Sequence, residues 1–200
     1  DVEPQRVPPA RNGFPPTHNL LDESWRAYLA AMETVLAEQP FILGERFTIA
    51  DASAYGQLSM NLIDPSTNAE LQERAPLTHE WLLGIRDGKH KVSRGKLFAS
   101  VAIDPLLQII MTTFAPLMDQ NEKAWRIETQ KGQTLFNERA FNRGQALYNG
   151  ELNGHPFRSV VKTFQVRVWN DLRENWRVLP ESERVALAKR LPGHPLFDES

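Results

Sequence analysis

Five histidines, His18, His79, His90, His155 and His194, and no cysteine make up the chain's readiest metal-binding and nucleophilic chemistry. No two histidines lie three or four residues apart, so neither a His-Glu-x-x-His helix nor a local ligand pair is present. A metal site is therefore not expected. Without Cys, thiolate catalysis, disulfides and Cys-based zinc binding are excluded from these 200 residues. Gly-x-Ser-x-Gly elbows, phosphate-binding loops and dinucleotide fingerprints, each of which needs a particular backbone turn, are missing too. Binding chemistry remains. Met111 and Phe114 lie in a strongly apolar run, as adaptable walls for an apolar ligand or as plain core. Trp125 has Glu122, Lys123 and Arg126 as neighbours, which suits a pocket rim, an interface or a ring covering a helix end. Arg158, Lys162 and Gln165 at i, i+4 and i+7 form either an anion-binding face or a solvated stripe. The basic stretch at 86–96 carries the same pair of readings, anion-binding loop or solvated connector.

Helices must position these side chains. Trp25, Tyr28, Leu29, Met32, Val35 and Leu36 make an apolar stripe and predict a helix over 22–38. Thr48 and Asp51 are spaced as a capping box, opening a helix over 48–63. Its face Ile49, Ala52, Gly56, Met60 and Ile63 predicts a central helix buried in a bundle. Asp64-Pro65-Ser66-Thr67-Asn68 reads as a turn cluster, followed by a helix over 77–86. Asp104 as cap and Pro105 at the first helical position open an apolar helix that Pro116 should kink or end. Asn137 caps the next helix, with Phe136 and Phe141 placed as a hydrophobic staple, and its end is expected near Leu147-Tyr148. Asn149-Gly150 and Asn153-Gly154 suggest a short β-hairpin near 148–157. A long amphipathic helix with Val161, Phe164, Val168, Leu172 and Trp176 inward follows, then a helix over 181–191 and a frayed or lightly docked tail.

The run Phe41-Ile42-Leu43-Gly44-Glu45-Arg46-Phe47-Thr48-Ile49-Ala50-Asp51 resembles the glycine–Thr-Ile-Ala-Asp signature of the glutathione S-transferase C-terminal helical domain. The stripe before it and Pro76-Leu77-Thr78-His79-Glu80-Trp81 after it are similar to the family's flanking helices, and the resemblance covers about residues 20–90. Ala52 stands where the family has a larger aliphatic, which weakens a staple with Phe47. The implied architecture is an all-α bundle: a Pro-rich linker over 1–19, the helical domain over 20–126 and a helical extension over 127–200. Five prolines in the first sixteen residues make that opening segment an extended tether rather than a thioredoxin-like fold.

The resemblance implies a function as well. In this family the helical domain walls the cleft for an apolar electrophile, while a thioredoxin-like half binds glutathione and stabilises its thiolate. Glutathione is then a co-substrate of a longer protein, and this segment alone binds no cofactor and is inactive. A homodimer is the family's common state. The alternative is a non-enzymatic interaction module, docking through the helix at 160–177. A net charge of −2 gives no case for nucleic acid or anionic membrane as the main partner. No apolar run approaches a membrane span and no signal peptide opens the chain, which makes the cytoplasm the expected location.

Overall fold

Side-chain carboxylates and amides start and dock most of the elements in this structure, a computed structural model that describes residues 17–90, 95–192 and 194–198. The chain is mostly helical with one two-stranded sheet among the described residues, the predicted all-α architecture with a hairpin. It divides into two compact units, residues 22–107 and residues 108–200 with 1–21. The boundary at 107/108 falls inside a helix.

In the unit 22–107, α1 (Thr17–Glu38) begins before the predicted position 22, so residues 17–19 are helix rather than linker. The remainder of the Pro-rich segment lies outside the described residues. Leu29, Met32 and Val35 carry its buried stripe. The chain then turns through Gly44 at φ 98°, where a Cβ would come within 2.8 Å of the Lys96 carbonyl and the Phe98 ring. After the turn comes α2 (Ile49–Leu58), tightening into a 3₁₀ turn over Ser59–Leu62.

The face of α2 differs from expectation. Asp51, Ala54 and Leu58 are its buried residues, whereas Ile49, Met60 and Ile63 are 83, 71 and 84 % exposed. The cause is the cap itself. Asp51 must face inward to reach Ile42 and Thr48, and a period of 3.6 then turns Ile49, Ala52 and Gly56 to the opposite side. The predicted turn cluster is a helix start: the Asp64 carboxylate accepts the Ser66 and Thr67 N–H groups and Pro65 opens α3 (Pro65–Arg74). The next helix, α4 (Pro76–Arg86), is capped from a distance. Glu33 on α1 accepts the N–H of Leu77 at 3.1 Å and both the N–H and hydroxyl of Thr78 at 2.7 Å.

Ser100 caps a 3₁₀ turn over Val101–Ile103 that runs into α5 (Asp104–Ile109), which places Asp104 in a first helical turn rather than at a cap. Pro116 neither ends nor visibly breaks the helix. A π turn over Ile110–Phe114 precedes it, a widened turn that lets α6 (Ala115–Gln130) continue with Pro116 near its start. The hydroxyls of Thr112 and Thr113 bond back to the carbonyls of Gln108 and Ile109, at 2.9 and 2.6 Å. Continuous helix therefore runs from Val101 to Gln130, long and apolar enough to cross a membrane by length and composition. That corrects the expectation that no run of this length and apolarity occurs. Ala102, Ile103, Leu106, Met111, Ala115 and Met118 are buried along it, while Val101, Ile110 and Ile127 are exposed.

In the second unit Asn137 caps α7 (Glu138–Asn142) by accepting from Arg139 and Ala140 N–H groups. The helix stops well before the predicted end, at a turn through Gly144 (φ 69°) and Ala146 (φ 50°). The Phe141 partner of the expected staple lies outside the described side chains. Next come β1 (Leu147–Leu152) and β2 (His155–Val160), antiparallel with Leu152 opposite His155. The ladder places Pro156 opposite Glu151, a pair without cross-strand hydrogen bonds, as a residue lacking an N–H requires. The orphaned Glu151 peptide groups bond instead to the Gln120 carboxamide on α6, its N–H at 2.8 Å and its carbonyl at 2.9 Å. Asn121, fully buried, does the same for Lys162.

The chain ends in α8 (Thr163–Val178), α9 (Glu181–Ala188) and a 3₁₀ turn over His194–Phe197. The buried side of α8 is Val166, Trp169, Arg173 and Trp176, whereas Phe164 and Leu172 face solvent, contrary to the predicted stripe. Its rotation follows from Arg173, whose guanidinium meets the buried Glu122 carboxylate at 2.6 Å. Phe197 closes this core between Trp169 and Trp176, ring centres 5.4 and 5.2 Å away, and Trp176 donates its indole N–H to Asp198 at 3.0 Å. The tail is docked there.

Candidate functional site

The loop between α1 and α2 builds the best-defined polar centre of the unit 22–107. Gln39, buried at the end of α1, donates to the carbonyls of Phe41 and Ile42, both at 2.8 Å. Asp51 holds the other side of the loop: one carboxylate oxygen accepts the Ile42 N–H, the other the Thr48 N–H and hydroxyl, all at 2.8 Å. Thr48 and Asp51 thus form the predicted capping box, and Asp51 is wholly buried. Its satisfied oxygens leave it a structural, not a reactive, carboxylate.

Beside this loop is a cavity of about 560 Å³ between the end of α1, the loop and α4. Its apolar walls include Leu36, Pro40, Leu77 and Leu83, with Trp81 and His90 as the ring-bearing groups. A volume of this size suits a small organic molecule. His90 packs edge-on against Phe41 at 5.4 Å and lies over Gly84, where a Cβ would strike its imidazole. Trp81 is 4 % exposed, and its indole N–H has no hydrogen-bond partner. Such an orphaned buried donor costs stability. Lys89, paired with Asp87 at 3.6 Å, and Glu80 add charge at the margin.

The sequence-predicted ligand residues are placed elsewhere. Met111 is 3 % exposed within the core of the second unit, packed with Met118, Trp169 and Trp176. Phe114 stands in the π turn with over a third of its surface exposed, and Trp125 is half-buried on α6. None of the three lines the described cavity. Arg158, Lys162 and Gln165 are divided among β2, the α8 cap position and α8, and Lys162 spends its backbone on Asn121. Of the basic stretch, Arg86 and Lys89 both pair with Asp87, and residues 91–94 lie outside the described residues. Among the described residues no group of three or more His, Asp or Glu side chains could hold a metal ion. Trp81 and His90 were legible only as core aromatic and isolated histidine, since the cavity that joins them depends on Gly84 having no side chain.

No curated protein and no solved structure matched the chain. Residues 15–83 do match one family, described as glutathione S-transferase, C-terminal domain. The match takes in α1, the Asp51-centred loop, α2, α3 and most of α4, including the Trp81 wall. Over residues 15–83 the chain is thus similar to the C-terminal domain of the glutathione S-transferases.

Proposed function

We propose that this chain supplies the helical, substrate-side wall of a glutathione S-transferase-like enzyme, with the cavity at Trp81 receiving the apolar body of an electrophile. The match over 15–83 carries the reading. Glutathione is the co-substrate, bound by a thioredoxin-like domain that holds its thiolate for attack on the electrophilic carbon. The helical wall contributes desolvation and orientation and no proton transfer. The satisfied hydrogen bonds of Asp51 and the absence of Cys support that division of labour.

The test is a fluorescence titration of the chain with an aromatic halide electrophile, without glutathione. Quenching of Trp81 is expected, weakened about tenfold when Leu77→Lys places an ammonium in the wall, a change of about 1.4 kcal/mol. Binding that is indifferent to Leu77→Lys removes the cavity from the reading. Turnover of glutathione by the chain alone, above a no-enzyme control, overturns the assignment of the chemistry to another domain.

A second reading, a non-enzymatic interaction module, is favoured by the outward row Ile49, Met60 and Ile63. Retention of a partner protein that is lost on Ile63→Lys, with no electrophile binding at Trp81, decides for it. A cytoplasmic location and a homodimer are the corresponding expectations for the enzyme reading.

A further inference from the structure

The hairpin carries two Asn-Gly steps in opposite environments, and their chemistry should differ accordingly. In any such step the glycine nitrogen, unshielded by a Cβ, is positioned to attack the carboxamide carbon of the asparagine before it. Attack needs a free nitrogen, a free carboxamide and a backbone able to bend.

Asn153-Gly154 meets these conditions. The two residues are the whole connection between β1 and β2, both exposed, with φ of 50° and 77°. Nothing lies within 4 Å of a Cβ built on Gly154. Among the described residues, neither the Gly154 N–H nor the Asn153 carboxamide is hydrogen-bonded. Asn149-Gly150 does not meet them. A two-residue connection makes Leu152–His155 a hydrogen-bonded pair, and alternation makes Gly150–Phe157 another. The Gly150 N–H is therefore engaged with Phe157, and its Cα is crowded by the Phe157 ring and the Gln120 side chain.

We infer that Asn153 is a site of spontaneous deamidation in the folded protein, and that the ladder protects Asn149. The Gly154 nitrogen bonds to Cγ of Asn153, the Cγ–N bond breaks, and the amide nitrogen leaves as ammonia with the proton released by Gly154. One water then opens the succinimide at either carbonyl, giving an aspartyl or isoaspartyl residue with no oxidant or cofactor. Either product adds one negative charge, taking the formal net charge from −2 to −3. The isoaspartyl form also lengthens the backbone by a methylene, which a two-residue connection cannot absorb while Leu152 and His155 stay paired.

The experiment incubates the full folded chain at mildly alkaline pH, follows acidic forms by ion exchange, and locates them by peptide mass mapping. Conversion at Asn153 is expected to run an order of magnitude faster than at Asn149. The acidic form should vanish in Asn153→Gly, which keeps a turn with φ > 0, and persist in Asn149→Gln. In urea both steps should convert at comparable rates. Equal conversion of the two sites in the folded chain overturns the inference. So does a folded chain that forms no acidic species while the urea sample converts.

Discussion

Asp51 shows how one side chain can fix a loop, a helix start and a helix rotation together. Its two oxygens take three donors in a dry site, so Asp51→Ala leaves the Ile42 and Thr48 N–H groups unpaired and should cost about 3 kcal/mol in urea unfolding. Thr48→Ala removes a cap hydroxyl alone and should cost about 1 kcal/mol. Asp64 and Tyr148 give the chain a pH response. Hydrogen bonds from the Ser66 hydroxyl and the Thr67 and Ser66 N–H groups hold Asp64 below its ordinary carboxylate value. A lowered folded value stabilises above the unfolded one and is lost as pH falls through it. The α3 start should therefore loosen in acid, with faster Ser66 and Thr67 amide exchange. Burial pushes the Tyr148 phenol up to about 12, partly opposed by a hydrogen bond with Ser159. That stabilisation is complete below the unfolded tyrosine value and disappears as pH rises through about 12. Tyr148→Phe should therefore shift alkaline unfolding upward, read against phenolate absorbance. The capping box was legible because its partners are three residues apart; the Ile42 bond, nine apart, was not.

Helices and strands here are rotated and docked by polar side chains that a hydrophobic stripe does not reveal. Phe164, Val168 and Leu172 have helical spacing, yet α8 turns Phe164 outward because Arg173 must meet Glu122. Arg173→Met should cost about 3 kcal/mol, since it leaves the buried Glu122 carboxylate with the half-exposed Arg126 as its remaining cation, and replacing both Arg173 and Glu122 with Met should recover most of it. Double-variant stability equal to the sum of the single losses would contradict the pairing. The same blindness explains α3, whose Asp64-Pro65 start repeats the signal read at Asp104-Pro105 but was taken for a turn among its polar residues. The hairpin was visible from its Asn-Gly steps, while its dock, Gln120 and Asn121, lies about 30 to 40 residues away in sequence.

For the molecule as a whole, the likeness to the glutathione S-transferase C-terminal domain was readable because the residues that carry it lie within one continuous stretch, 15–83. The boundary between the two units, at 107/108, falls within an apolar helix that offers no change of composition. Solvent-facing apolar residues are the other feature hidden from the sequence. Ile49→Lys and Ile63→Lys should each change stability by less than about 0.5 kcal/mol while reducing binding of a solvatochromic apolar dye. A large loss of stability would mean that this row is packed.

Pro156 has one further effect. A two-stranded sheet has two open borders, each able to recruit a strand from another molecule. At Glu151 one border is already occupied by the Gln120 carboxamide, which imitates a neighbouring strand. Directly across, Pro156 presents no donor on the other border. The hairpin is thus blocked on both sides at the same level, a built-in defence against edge-to-edge aggregation.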